Sequence, residues 1–342
     1  MPDAMERPGR TILRLLGIAA FVFLVIAFIC FMLIKLGAAP PVVLLGGPNP
    51  MPEERAQLIA EYGLNQPAVV QFIRYVVRTL AGEFGRSWQT GATVADDLLA
   101  RLPATLELMV YALLLGALIG IPAGVAAAFS RGRAEERTAR GAGLVGAAMP
   151  SFLLALLLLL VFFRWLDLSP APSGRLSVVL TPPPTITGSY FIDAILMQDA
   201  AAARSALGQL ILPVLTLALL IAAQLTLQVR TAILMQLDTA HFAYARAQGM
   251  SRDMLTGIAM RGAAPSIWAA FCGQCAALLG TTAVIEYVFA WGGVGQYGLE
   301  AMSRGDFAVM QAFILLSAAL SLLVHLMHAG VRRVARLRIR RA

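Results

Sequence analysis

Cys272 and Cys275 form a C-x-x-C inside an apolar stretch. On a helix that spacing sets both sulfurs on one face, an arrangement suited to metal binding or redox work. No further Cys or His accompanies them, so they are expected to be small buried packing residues. His325 and His328 also share a helical face, yet a metal site normally needs three or four ligands and no carboxylate lies nearby in sequence. No metal ligand set is therefore assigned, and the two imidazoles are read as neutral groups packed near a helix C-terminus.

Hydrolysis of ATP by a P-loop needs G-x-x-x-x-G-K-[ST], in which backbone N–H groups cradle the phosphates and the Lys reaches the β and γ positions. Lys35 is the only lysine in the chain, and no such glycines precede it. No catalytic residue is expected here, and no cofactor bound by this chain. The glycines after Trp291, at 292, 293, 295 and 298, are a weak phosphate signal because no strand precedes them, and they read as an outward-facing loop.

Ionisable residues near apolar stretches carry more weight, because a charge at a bilayer centre costs about 2.5–3.5 kcal/mol on insertion scales. Glu107 and Glu286 are the candidates. Either they face a translocation path and meet a cationic substrate terminus, or they bond to neighbouring helices.

The elements that position these residues follow from composition. Of 342 residues, 59% are hydrophobic and 13% charged, against about 25% charged in an ordinary soluble domain. The apolar residues are blocked into six stretches, at about 12–36, 104–129, 141–163, 207–229, 263–290 and 309–331. Each is long enough to cross a hydrocarbon core of about 30 Å. Gly37, Ala38 and Ala39 resemble a signal cleavage site, but the apolar run from Leu15 to Ile34 exceeds the usual signal core of about 7–15 residues. It is read as a retained span.

A net charge of +8 suggests nucleic acid until the positions are examined. Arg7, Arg10 and Arg14 precede the first span, Arg131, Arg133, Arg137 and Arg140 lie between the second and third, and Arg332, Arg333, Arg336, Arg338, Arg340 and Arg341 form a tail. With an even number of spans all three segments share one side, which the positive-inside rule makes the cytoplasm. Both termini are expected inside, and no nucleic-acid partner is expected.

The remaining connections, about 37–103, 164–206 and 291–308, then face outward. In the first, Pro52, Glu53 and Glu54 start a short helix that stops near Gly63. Asn65 caps a second, amphipathic one that ends at Gly82 and serves as a brace on the membrane surface or the bundle. In the second, Pro170, Pro172, Pro182, Pro183 and Pro184 rule out a helix and leave a linker or a docking surface for an external partner. The inward connection 230–262 is too long to be a mere link. It reads as two short helices bent at Gly249 and restarted by Ser251, exposed where a partner's groove could take them.

Three separated stretches carry a resemblance: GEFGRSWQTGATVADDLLARLPATLEL (82–108), HFAYARAQGMSRDML (241–255) and EYVFAWGGVGQYGLEAMSRGDFAVMQ (286–311). In that order they resemble the B-type permeases of the dipeptide, oligopeptide and nickel importers, within the binding-protein-dependent ABC transporter superfamily. The chain departs from that pattern in reading APPVVLLGGPNP where the family often has Pro-Gly-Asp-Pro. It has Ala243 where the wider superfamily has Glu, and Ala-Ala-Pro265 where the family usually has Ala-Leu-Ile-Pro.

The resemblance implies an all-α, polytopic type I importer permease of about six spans in a bacterial plasma (inner) membrane. Its organisation would be a first span with a long external loop (1–103), a five-helix core (104–331) and a basic tail (332–342). Ala243, Tyr244, Ala245, Arg246, Ala247, Gln248, Gly249 and Ser251 would couple it to ATPases. Its partners would be a second homologous permease, two ATP-binding subunits that use ATP and Mg, an extracytoplasmic substrate-binding protein and membrane lipid. The expected cargo is di- or oligopeptide or a related small solute. The alternatives are nickel chelates in the same architecture, or a secondary transporter or channel without ATPases.

Overall fold

The computed structural model describes residues 8–36, 41–46 and 49–339. Arg7, Gly37, Ala38, Ala39, Arg340 and Arg341 lie outside the described residues. Among the described residues the architecture is helical, with one isolated bridge between Arg86 and Thr93. Among the described residues five helices are long and apolar enough to cross a membrane, and a bent pair makes a sixth span if its halves count as one. The described residues group into two compact units.

The first unit takes the chain up to Pro103 together with Gly293–Leu326. It contains α1 (Pro8–Lys35), α2 (Pro41–Gly46), α3 (Pro52–Tyr62), α4 (Ala68–Leu80), α12 (Val294–Arg304) and the first part of α13 (Phe307–Ile339). α3 begins on Pro52, where a missing N–H costs nothing, and ends as Gly63 turns left-handed at φ 61°. α4 starts at Ala68 rather than at Asn65. The physical reason is Pro67, whose ring disfavours helical backbone at the residue before it. α4 turns Phe72, Tyr75 and Val76 onto Ala27 and Cys30 of α1 and Leu315 of α13, while Val69, Ile73, Val77 and Leu80 stay exposed. The bracing role expected of this helix thus has a packed face and a bare apolar one.

The stretch 291–308 is not the open loop its glycines suggested. Gly295 and Gly298 lie within α12, and Gly298 sits so close to Phe313 that an added Cβ would fall 2.4 Å from the ring. The helix buries Val294, Tyr297 and Ala301 against Val94, Leu98 and Val309. Asp97 accepts hydrogen bonds from the Tyr297 hydroxyl (2.7 Å) and Thr90 (2.8 Å), and Asp306 accepts one from Ser87 (2.6 Å).

The second unit takes Ala104–Gly292 and the chain from Met327 on. It holds most of α5 (Val94–Phe129), then α6 (Ala134–Ala148), α7 (Ser151–Leu158, continued by a π-turn to Trp165), α8 (Tyr190–Leu196), α9 (Ala200–Leu237), α10 (Ala240–Ala247) and α11 (Arg252–Val288). α9 is the hub, packing on α6, α7, α8, α10 and α11. At 38 residues and about 1.5 Å per residue it outruns a hydrocarbon core of about 30 Å. Gly116, Gly120 and Gly124 form a G-x-x-x-G-x-x-x-G stripe against it. An added Cβ at Gly120 would lie 2.7 Å from the Ala222 carbonyl oxygen, so only glycine permits this approach.

Two further expectations from sequence are corrected. The third span is broken by a 106° bend between α6 and α7. Pro150 ends α6 and drives Met149 into extended backbone (φ −76°, ψ 127°). The inward connection holds one short helix rather than two, because α9 continues to Leu237 and α11 runs unbroken from Arg252.

Candidate functional site

α10 is built by its caps. Thr239 accepts the Phe242 N–H at its start (3.3 Å) and donates to the Gln236 carbonyl (2.7 Å). At its end Gly249 turns left-handed, at φ 72°, a conformation that costs an L-residue with a side chain about 1–2 kcal/mol. Ser251 then caps α11 by accepting the Met254 N–H (3.4 Å). Phe242 is buried among Ile233, Ala259 and Ala263, and Ala245 is buried as well. Burying the phenyl ring stabilises this docking by about 1.5–3 kcal/mol.

The opposite face is bare. Ala243, Tyr244, Arg246, Ala247, Gln248, Gly249 and Ser251 are exposed, with Tyr244 at 66%. Ala245 thus differs from its fellow candidates: it points inward, an anchor rather than a contact. A cavity of about 300 Å³ lies beside the helix, lined by Gln236, Thr239, His241, Phe242, Arg261 and neighbours. Around the same end of the unit, Arg131 lies 3.6 Å from Asp238, and Arg230 pairs with Glu136.

Glu107 and Glu286 are both buried and both engaged. Glu107 receives Arg175 through Nε (3.0 Å) and Nη2 (2.6 Å) and the Ser189 hydroxyl (2.5 Å). The Arg175 guanidinium also stacks 3.8 Å from the Tyr190 ring centre. The proline-rich connection is thereby tied down onto α5 and α8. Asp193 fixes its last turn by accepting from the Ile186, Thr187 and Gly188 backbone N–H groups and the Thr187 hydroxyl. Burial pushes the Asp193 carboxyl up, and the Thr187 hydroxyl and these N–H groups more than offset that, holding it below its ordinary value. Glu286 is fully buried and accepts from Thr105 at 2.6 Å. Nearby, the Trp291 indole donates to the Ala104 carbonyl (2.9 Å).

One polar pair within the spans was not among the residues singled out from sequence. Gln224 of α9 and Gln274 of α11 are hydrogen-bonded to each other (3.1 Å) at the edge of a cavity of about 170 Å³. Single glutamines inside apolar helices were the available signal. Cys272 and Cys275 carry free thiols on α11, Cys272 buried and Cys275 partly so. The His325 ring nitrogen Nδ1 lies 2.8 Å from the Ser321 carbonyl oxygen, one turn back on α13.

Residues 120–339 match the family described as binding-protein-dependent transport system inner membrane component, and residues 10–109 match its N-terminal companion. The chain belongs to this family. Among its relatives, the dipeptide transport system permease protein DppB of Escherichia coli K12 is 32% identical, the match covering 92% of this chain and 94% of that protein. The di/tripeptide transport system permease protein DppB of Pseudomonas aeruginosa UCBPP-PA14 is 33% identical over the same shares. The metal-staphylopine import system permease protein CntB of Staphylococcus aureus NCTC 8325 is 28% identical, covering 90% and 91%.

This inner membrane component is therefore the permease subunit of an ABC importer, and ATP hydrolysis resides in separate subunits. That assignment accords with a chain whose only lysine, Lys35, is spent on Gln71 (2.9 Å) rather than on a phosphate loop. The family match spans α10 and all of α9 and α11.

Proposed function

We propose that this permease subunit imports di- or oligopeptides, and that the bare face of α10 is where ATPase motion enters it. The observation that carries the reading is the exposed row Ala243, Tyr244, Arg246, Ala247, Gln248, Gly249 and Ser251, held out by buried Phe242 and Ala245. A short, small-residue helix anchored from behind and open in front suits insertion into a partner's groove. Its neighbours support a cytoplasmic position. Arg131 and the basic α5–α6 connection lie at the same end as Asp238 and α10, where the positive-inside rule places the cytoplasm.

In this reading two ATP-binding subunits, which use ATP and Mg, engage α10 and its counterpart in a second homologous permease, and an extracytoplasmic binding protein delivers the cargo. Peptide cargo is favoured by the DppB relatives, which are permeases of dipeptide and di/tripeptide transport systems. A metal chelate is the second reading, favoured by CntB. Glu107 and Glu286, candidates for the solute path, act in our reading as struts, because Arg175, Ser189 and Thr105 occupy their oxygens.

Two experiments test this. The tagged complex should co-purify with ATPase subunits and accumulate a radiolabelled dipeptide in proteoliposomes only with ATP and the binding protein. Uptake of a nickel or cobalt chelate with no dipeptide uptake would replace the cargo assignment. A cysteine at Gln248, in a chain whose Cys30, Cys272 and Cys275 are serine, should react with an impermeant maleimide only in inside-out vesicles. Labelling from outside intact cells would put α10 on the wrong side for any ATPase.

A further inference from the structure

We propose that Gln224 and Gln274 form a station on the solute route that recognises the peptide bond of the cargo. The inference rests on the peptide-import reading and names the chemistry that would carry it out. Both glutamines lie in the middle third of long apolar helices, α9 and α11. Gln274 is 6% exposed. Gln224 is partly buried, so the two amides meet where buried helix surface opens into a cavity, a place where an amide can exchange one partner for another.

Their mutual hydrogen bond (3.1 Å) satisfies one N–H and one oxygen lone pair. Whichever way the two amides are turned, one carboxamide NH₂ and one carboxamide oxygen remain for something else. That remaining pair, a donor beside an acceptor, matches the C=O and N–H of a peptide unit.

The surroundings agree. The cavity that the pair faces, about 170 Å³, is lined also by Met149, Ser151, Leu217 and Thr281. Met149 and Ser151 flank the 106° break at Pro150, so residues on both sides of the break line the same cavity as the amides. Interrupted helices at membrane depth are tolerated where they line a cavity. Its lining includes no Asp, Glu, Lys or Arg. A neutral, amide-sized dipole fits such a place better than a metal ion or a charged terminus, whose desolvation nothing there would offset.

The test uses the assembled complex, with its partner permease, ATPases and binding protein, in proteoliposomes. Alanyl-alanine is compared with its ester analogue alanyl-lactate, which keeps the shape but lacks the N–H, each at a concentration that saturates the binding protein. The readout is molecules transported per ATP hydrolysed. The wild type should prefer the dipeptide by about two- to tenfold, the worth of one hydrogen bond. Gln224→Met together with Gln274→Met, which conserves volume, should bring the ratio close to one while binding-protein-stimulated ATPase activity persists. Gln224→Asn, which keeps an amide but withdraws it by one methylene, should give an intermediate ratio and serves if the double variant does not assemble. No preference in the wild type, or an unchanged preference in the variants, overturns the station. A wild type that moves neither compound but does move a metal chelate overturns the peptide reading itself.

Discussion

Gly249 offers the sharpest test of how motion reaches this permease. Its φ of 72° is left-handed, and an added Cβ would meet nothing within 4 Å. A side chain at this position therefore meets no steric wall, and its whole cost is backbone strain. For an L-residue that strain is about 1–2 kcal/mol, and a β-branched residue lies at the upper end. Since each 1.4 kcal/mol is tenfold, Gly249→Val should lower the population of the native α10–α11 turn by about 5- to 30-fold. The anchors Phe242 and Ala245 are untouched, so insertion and folding of the chain should persist. Gly249→Asn should retain most function, because Asn visits the left-handed region readily, and Gly249→Ala should fall between. The assay is ATP-dependent uptake in proteoliposomes alongside ATPase rate, with membrane insertion checked by protease protection. Full uptake in Gly249→Val, or Asn as damaging as Val, would refute the argument that the turn's handedness transmits the stroke.

Arg175→Met should destabilise the detergent-solubilised protein by about 3–5 kcal/mol, because it strands the buried Glu107 carboxylate. Adding Glu107→Met should restore most of the melting temperature, and no restoration would mean the pair does not act as a strut. Gly120→Val should prevent α5 from seating on α9 and sharply reduce the amount of folded protein in the membrane. Gly141→Val, where an added Cβ meets nothing within 4 Å, should be tolerated. Asp193 gives a pH dependence whose sign is fixed by its lowered pKa. Stability of the 186–193 turn should be full above the unfolded value of about 3.9 and decline as pH falls through the folded value. Protease nicking of the proline-rich connection should rise on acidification in wild type, and Asp193→Asn should be nicked at neutral pH with the pH response gone.

What the sequence determined by itself is whatever depends on consecutive residues. A bilayer demands unbroken apolar runs, so the spans were legible from composition along the chain, as were α3 between Pro52 and Gly63 and the turn at Gly249 between α10 and Ser251. The break at Pro150 was also local, and hydropathy alone hid it, because both halves of the bent span are apolar on either side of a single proline. Tertiary structure decided the rest. Arg175 reaches Glu107 across 68 positions, and Gln274 reaches Gln224 across 50. Gly293–Leu326 returns to pack with the first hundred residues. Those pairings depend on the rotational register of one helix against another. For α5 against α9 that register is marked by Gly116, Gly120 and Gly124, which allow the two backbones to touch.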